Sequence, residues 1–113
     1  MACIFCKIAS GEVIANIVYQ DGNVVAFRDT NPQAPVHILV IPREHIPSLT
    51  ELQPSQSPLM GELVETAVML AEREGVDQSG YRLVLNAGKD AGQAVEHIHL
   101  HLVGGRVMQW PPG

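Results

Sequence analysis

The chain has 113 residues, 46% of them apolar and 17% charged, with a formal net charge of −5. That length and composition fit one compact globular domain over residues 1–113 and exclude a disordered chain. Seven Lys and Arg scattered along an acidic chain speak against nucleic acid as a partner, and no apolar run approaches the roughly 20 residues that a membrane helix needs.

The first residues, Met1-Ala2-Cys3-Ile4-Phe5-Cys6-Lys7, show no basic-then-apolar leader. Two cysteines in such a context point to a reducing compartment, so the expected location is the cytoplasm. Aromatic residues make up only 4%, so the core is expected to be aliphatic.

Ile4 to Ile8 reads as a short helical turn closed by Ser10-Gly11. Ile17 to Tyr19 and Val24 to Arg28 are β-prone runs around Gln20-Asp21-Gly22-Asn23, where Asp-Gly is expected to supply the positive φ of a tight hairpin. Thr30 to Pro35 holds two prolines and reads as a loop. His37 to Ile41 is a continuous aliphatic run ended by Pro42, as in a strand covered on much of both faces.

Gln53 to Pro58 is a polar break, expected to be a loop. A long helix follows, with Ser57 as cap and Pro58 at its first position. Leu59, Leu63, Ala67, Leu70 and Ala71 form its apolar stripe, Glu62, Glu65, Glu72 and Glu74 its wet face, and Gly75 its stop. Tyr81 to Leu85 is a strand, Asn86 to Gln93 a glycine-containing polar loop, and His97 to Val103 the last strand before Gly104-Gly105. The Gly88–Gly92 stretch does not open a helix, so it is no Walker-type loop. One short helix, three strands, one long helix and two strands argue for an α+β fold with a mainly antiparallel sheet.

His97, His99 and His101 alternate with Ile98, Leu100 and Leu102. On a strand the three imidazoles share one face and the aliphatics anchor the other, with neighbouring imidazoles roughly 7 Å apart. The face carrying them is expected to be the open one. Three histidines in a row are a poor choice for mere solubility and a good one for handling protons or metals near neutral pH. The residues alone leave open metal binding through His-x-His and nucleophilic catalysis by imidazole at a phosphoryl centre. Cys3 and Cys6, spaced C-x-x-C, leave three readings: a structural zinc held with His45 and His97, a pair of reduced thiols, or a redox motif without its usual βαβ setting. Outside a zinc site His45 is expected on the surface, and Arg28 and Arg43 are expected to be solvated.

H-I-H-L-H-L-V resembles the His-φ-His-φ-His-φ-φ signature of the histidine triad (HIT) superfamily, where φ is apolar. C-I-F-C-K-I, A-F-R-D-T-N-P-Q-A-P-V-H-I-L-V-I-P-R-E-H-I, Y-R-L-V-L-N-A-G-K-D-A-G-Q and the W-P-P-G ending extend the resemblance over nearly the whole chain and place it in the Hint branch, the purine nucleoside phosphoramidase-like nucleotide-binding proteins. The resemblance implies a HIT-like fold of five mainly antiparallel strands with one long and one or two short helices. It also implies a homodimer joining two sheets edge to edge, and binding of AMP-like purine nucleotides. The implied reaction is hydrolysis of phosphoramidates or related nucleotidyl compounds through a nucleotidyl-histidine, with no cofactor required for catalysis.

By position, His99 takes the nucleophile's place, His101 contacts the phosphate, His97 supports the network and His37 is the fourth active-site histidine. The nucleotide contacts carried over are Asp29 on the ribose hydroxyls, with Thr30 beside it, and Asn86, Gly92, Gln93 and Ala94 in the phosphate loop. Phe5, Ile8 and Phe27 fall in the base pocket. Trp110, in the tail 106–113, is expected to reach the partner subunit's site. Ala94 departs from the serine common in the branch, which implies slower turnover on amide leaving groups. The rival reading is a nucleotide-binding regulatory or scaffold protein with incidental hydrolysis.

Overall fold

The computed structural model describes residues 3–113. Met1 and Ala2, part of the stretch expected to lack a leader, lie outside them. The elements run α1 (Ile4–Ser10), β1 (Ile17–Gln20), β2 (Val24–Arg28), β3 (Val36–Pro42), α2 (Ser57–Arg73), β4 (Tyr81–Leu85) and β5 (Leu100–Gly104). The strands form one sheet in the order β1-β2-β3-β5-β4, and all four pairings are antiparallel. The architecture is α+β, as the order of elements implied. No helix among the described residues is long and apolar enough to cross a membrane.

The sheet carries two cores because β2 and β3 alternate between two covered faces. Val24 and Ala26 of β2 and Val36, Ile38 and Val40 of β3 face the long helix, meeting Leu63, Ala67, Leu70 and Ala71 of α2. Val25 and Phe27, with Leu39 and Ile41, face α1 and meet Phe5 and Ile8. Every residue of β3 is buried, as its unbroken aliphatic run implied.

α2 stops where its sequence says it should. Gly75, at φ 73°, donates its N–H to Glu72 O, and Val76 donates to Ala71 O. This left-handed termination satisfies the last carbonyls and turns buried Val76 into the core. Gly104 faces Val76 so closely that an added Cβ would lie 3.0 Å from Val76 Cβ. The glycine lets the turn after α2 press onto β5.

Several local expectations are corrected. The β1–β2 turn does not use a positive φ at Gly22, which is absent from the positive-φ glycines. Instead the Asp21 carboxylate accepts from the N–H groups of Asn23 and Val24 at 2.8 and 2.9 Å. An Asx turn replaces the glycine turn because the side chain supplies the missing acceptor. Ser57 is the first residue of α2, not its cap, which is Gln56 with no capping side-chain bond. The stretch before it is no plain loop: Pro54–Gln56 is a 3-10 turn boxed by the side chains of Gln53 and Gln56. Another 3-10 turn, Lys89–Ala91, interrupts the Asn86–Gln93 loop. The last strand begins at Leu100 rather than His97, because its pairing with β3 ends at Val40 and its pairing with β4 ends at Leu85, both opposite Leu100.

Candidate active site

The alternation of histidine and aliphatic survives outside the strand. Ile98, Leu100 and Leu102 enter the α2 core, so the imidazoles of His97, His99 and His101 lie on the α1 side. That face is not open, contrary to expectation. His97 is fully buried and His99 is 7% exposed, because α1 folds over them. Phe5 sets its ring edge-on to both, with centroids 5.9 Å from His97 and 5.1 Å from His99. The rings of His99 and His101 lie 4.9 Å apart, closer than strand spacing alone gives.

Backbone groups fix the proton on each ring, since a carbonyl only accepts and an N–H only donates. His99 Nδ1 lies 2.8 Å from the carbonyl of His97 and must donate to it, so in the neutral ring Nε2 is the bare lone pair. The N–H of Gln33 donates to His37 Nδ1 at 3.0 Å, so the neutral His37 ring carries its proton on Nε2. His37 Nε2 lies 2.9 Å from His101 Nδ1 and donates to it. His101 therefore carries its own proton on Nε2, a buried atom without a hydrogen-bond partner among the described residues. Asp29 Oδ2 stands 3.4 Å from His37 Nε2, and Asp29 Oδ1 accepts from Asn31 N–H.

Burial pushes His37 below its ordinary value, with Asp29 opposing the shift. His101 is pushed down to about 4, first by burial and then by the neighbouring His99 and His37 rings. A neutral ring pair beside one bare nitrogen and one unpaired N–H can attack an electrophile and hand a proton to what leaves.

His99 and His101 open onto a cavity of about 730 Å³, within the roughly 300–1,000 Å³ of small-molecule sites. Phe5, Ile8 and Phe27 form its apolar end, and Asp29, Thr30 and Ala94 lie on its wall, so six of the residues expected to hold a nucleotide meet there. Val13 to Asn16, Ile4, Arg28 and Leu39 also line it. Leu39 could have been found from its strand phase with His37. The 13–16 segment gave no signal, because its place depends on where α1 docks. Arg28 is not simply solvated. It makes a two-point ion pair at 2.8 and 3.0 Å with Glu74, the C-cap residue of α2, which takes Glu74 out of the wet face. Arg43 is likewise engaged, donating to Asp21 O, Ala9 O and Gln20 Oε1.

Other expected residues lie elsewhere. His37 and Asn86 line a neighbouring cavity of about 410 Å³ behind His101, walled by Arg82, Arg106 and the tail. The Gln93 amide braces its loop, donating to Pro47 O and Val95 O while its oxygen accepts from Gly88 N–H. Gly92 sits in the same loop at φ 78°, with its N–H given to Lys89 O. Trp110 is 81% exposed, outside the large cavity, beside the Arg82 guanidinium.

A second cluster adjoins the first. Cys3, Cys6, His45 and His97 converge so that their donor atoms all lie within 4.8 Å of one another. Cys3 Sγ and Cys6 Sγ stand 3.4 and 3.6 Å from His97 Nδ1, and His45 Nδ1 stands 3.3 Å from Cys6 Sγ and 3.2 Å from His97 Nδ1. His97 Nε2 donates to Pro42 O at 2.8 Å, which turns the Nδ1 lone pair into the cluster. His45 is thus not a plain surface residue.

Comparisons with known proteins place the chain among relatives of the same fold. Residues 2–109 match the family model described as scavenger mRNA decapping enzyme C-term binding. The chain is 47% identical over 103 residues to the purine nucleoside phosphoramidase of Escherichia coli strain K12, covering 91% of this chain and 87% of the relative. It is 47% identical over 112 residues to a 14 kDa zinc-binding protein of Brassica juncea, covering 97% and 98%. The crystal structure of a HIT family hydrolase from Legionella pneumophila Philadelphia 1 superposes with a TM-score of 0.96 at 50% identity, covering 98% of this chain and 99% of that one.

Proposed function

The chain belongs to the histidine triad superfamily, in its Hint-like branch, and from that membership we propose that it cleaves purine nucleoside phosphoramidates, or related nucleotidyl compounds of the AMP-X type, through a nucleotidyl-histidine. The observation that carries this reading is the bare Nε2 of the neutral His99 ring and the unpaired Nε2–H of His101, on two rings 4.9 Å apart that both line the 730 Å³ cavity.

In the first step the His99 Nε2 lone pair attacks phosphorus and the P–N bond to the leaving group breaks. The leaving nitrogen takes the His101 Nε2 proton and departs as an amine; the negative charge this leaves on the His101 ring is held by the His37 Nε2–H and offset by the phosphorylated His99 ring, now cationic, whose centroid is 4.9 Å away. The phosphorus is then bonded to His99 Nε2, and His101 Nε2 is bare. In the second step His101 Nε2 takes a proton from water as the water oxygen attacks phosphorus, the P–N bond to His99 breaks, and AMP leaves. Both histidines return to their starting state. His37 supports this exchange by holding His101 in one tautomer. Phe5, Ile8 and Phe27 would receive the base, and Asp29, with Thr30 beside it, the ribose hydroxyls.

The four-residue cluster fits zinc. Bond lengths of about 2.3 Å to sulfur and 2.0–2.1 Å to nitrogen in a tetrahedron put donor atoms about 3.3–3.8 Å apart; the Cys3–His97, Cys6–His97, Cys6–His45 and His45–His97 separations run from 3.2 to 3.6 Å, and all the donor atoms lie within 4.8 Å of one another. Cys3, Cys6, His45 and His97 would hold the ion, and four protein donors give it a structural, crosslinking role. The reading also includes a homodimer whose two sheets join edge to edge, β1 and β4 being the edge strands, and a tail 106–113 that sends Trp110 to the partner subunit's site.

Intact-protein mass spectrometry after brief mixing with an adenosine phosphoramidate, beside a His99→Ala control, tests the reaction. A transient gain of one AMP mass in the wild type alone is expected. Absence of both adduct and turnover, with AMP still bound, would move the reading to a nucleotide-binding protein.

A further inference from the structure

The triad's first histidine has three separate engagements. Its Nδ1 enters the Cys3–Cys6–His45 cluster, its Nε2–H goes to Pro42 O, and its main-chain carbonyl accepts the Nδ1–H of His99. We infer that the Cys3–Cys6–His45–His97 cluster positions the nucleophile: ligation at His97 holds the carbonyl that orients the His99 ring, which makes Cys3, Cys6 and His45 positioning residues for the reaction. This rests on the metal and catalytic readings proposed above.

The backbone explains why such a device is needed. Sheet pairing of the last strand starts at Leu100, so His97 to His99 are not held in place by a ladder of strand hydrogen bonds. One main-chain bond outside the ladder, Ile98 N–H to Ile46 O at 2.8 Å, ties the segment to the chain next to His45. The residues beside that bond are both cluster members. The segment carrying the nucleophile is therefore stitched to 45–46 by one hydrogen bond and by the donor cluster.

α1 supplies the second link. Cys3 caps it and accepts from Cys6 N–H, so both sulfurs belong to one helical turn. Phe5 stands between them in sequence and sets its ring against both His97 and His99. A cluster that opens frees α1 on one side and His97 on the other, and the His99 ring loses both its acceptor and its packing partner. The Nδ1–H bond is what leaves Nε2 bare, so a ring released from it presents the attacking nitrogen in only part of the population.

The test loads the full-length protein with 113Cd and follows its resonance with and without saturating AMP. Coupling is reciprocal, so occupancy beside His99 is expected to move the signal through His97. The same coupling predicts a loss of about tenfold or more in the rate of nucleotidyl adduct formation in chelated, still folded protein, with KM little changed and zinc restoring the rate. His45→Ala is expected to reproduce the loss, and His45→Cys, which keeps a metal donor, to recover the rate. If chelation unfolds the protein, the two His45 variants and the cadmium signal decide.

An unchanged rate in folded metal-free protein, or a cadmium resonance that AMP leaves in place, overturns the inference. Failure to take up cadmium or zinc removes the metal reading and the inference together. Metal uptake without any adduct removes only the catalytic reading, and the response of the cadmium signal to AMP still decides the coupling.

Discussion

His37 Nε2 lies 2.9 Å from His101 Nδ1, although 64 residues separate them in the chain. β3 and β5 pair antiparallel with His37 opposite Val103 and Leu39 opposite His101, which makes the two imidazoles diagonal neighbours on one face. Because Gln33 N–H fixes the His37 tautomer, the bond fixes that of His101 as well. His101→Ala should lower turnover by about 10²–10⁴-fold, the usual contribution of a general acid. His37→Ala, which removes the support and leaves the acid, should cost about 10–100-fold. Steady-state kinetics on both variants checks the order; an equal or larger loss in His37→Ala would contradict it.

Acid should destabilise the protein through the same pair. The His101 pKa is depressed to about 4 in the fold by burial and by neighbouring rings, against about 6.5 in the unfolded chain. Between those values the unfolded state binds the extra proton, so stability rises with pH. It is full above about pH 6.5 and falls as the pH drops towards 4, by on the order of 2 kcal/mol for this ring after allowance for its part exposure. Urea midpoints at pH 7 and pH 4.5 measure the slope. His101→Gln should flatten it; a slope unchanged in that variant would show that other groups carry it.

Ala94 faces the large cavity with no polar side-chain atom to offer a departing nitrogen. Ala94→Ser is expected to raise phosphoramidate turnover several-fold, in the range of one hydrogen bond at about 1 kcal/mol. Equal or faster turnover by the wild type would show that water or backbone already fills that role.

The tail packs lightly. Trp110 is largely exposed, and its neighbours include Arg82, whose guanidinium also donates to Gln109 O. Truncation after Val107 should therefore shift the thermal midpoint little while changing the ratio of kcat/KM between two leaving groups. A large drop in the midpoint with an unchanged ratio would assign the tail to folding.

Leu70 of α2 is 1% exposed, in the core shared by β2, β3 and β5. Leu70→Ala should cost about 2–5 kcal/mol of stability, the range for a buried leucine cavity. Arg28→Ala should cost under about 1 kcal/mol despite its two-point ion pair, because the Arg28 side chain is 38% exposed. Denaturant titrations of both variants test whether the aliphatic core or the ion pair dominates.

The order of elements, the buried β3 and the stripe of α2 could be read from the sequence because each is written in local periodicity. The histidine face could be read for the same reason, since Ile98, Leu100 and Leu102 could only point to the core. Turn chemistry was less legible: Asp21 supplies with its carboxylate what Gly22 was expected to supply with its backbone. Such a choice depends on which acceptor the following N–H groups meet.

The tertiary structure alone decided that the histidine face is closed, because that depends on α1, some 90 residues earlier in the chain, folding across His97 and His99. It also decided the strand's start at Leu100, which is set by where pairing with β3 and β4 ends and not by the pattern of β5. The split of the expected nucleotide residues between two cavities followed from the same packing, with Asn86 behind His101 and Ala94 in front. Sequence periodicity specifies which face a side chain takes. Contacts between distant segments specify what covers that face, and those contacts, with the backbone groups beside His37, His97 and His99, fix which nitrogen of these rings, and of His101 through His37, carries the proton.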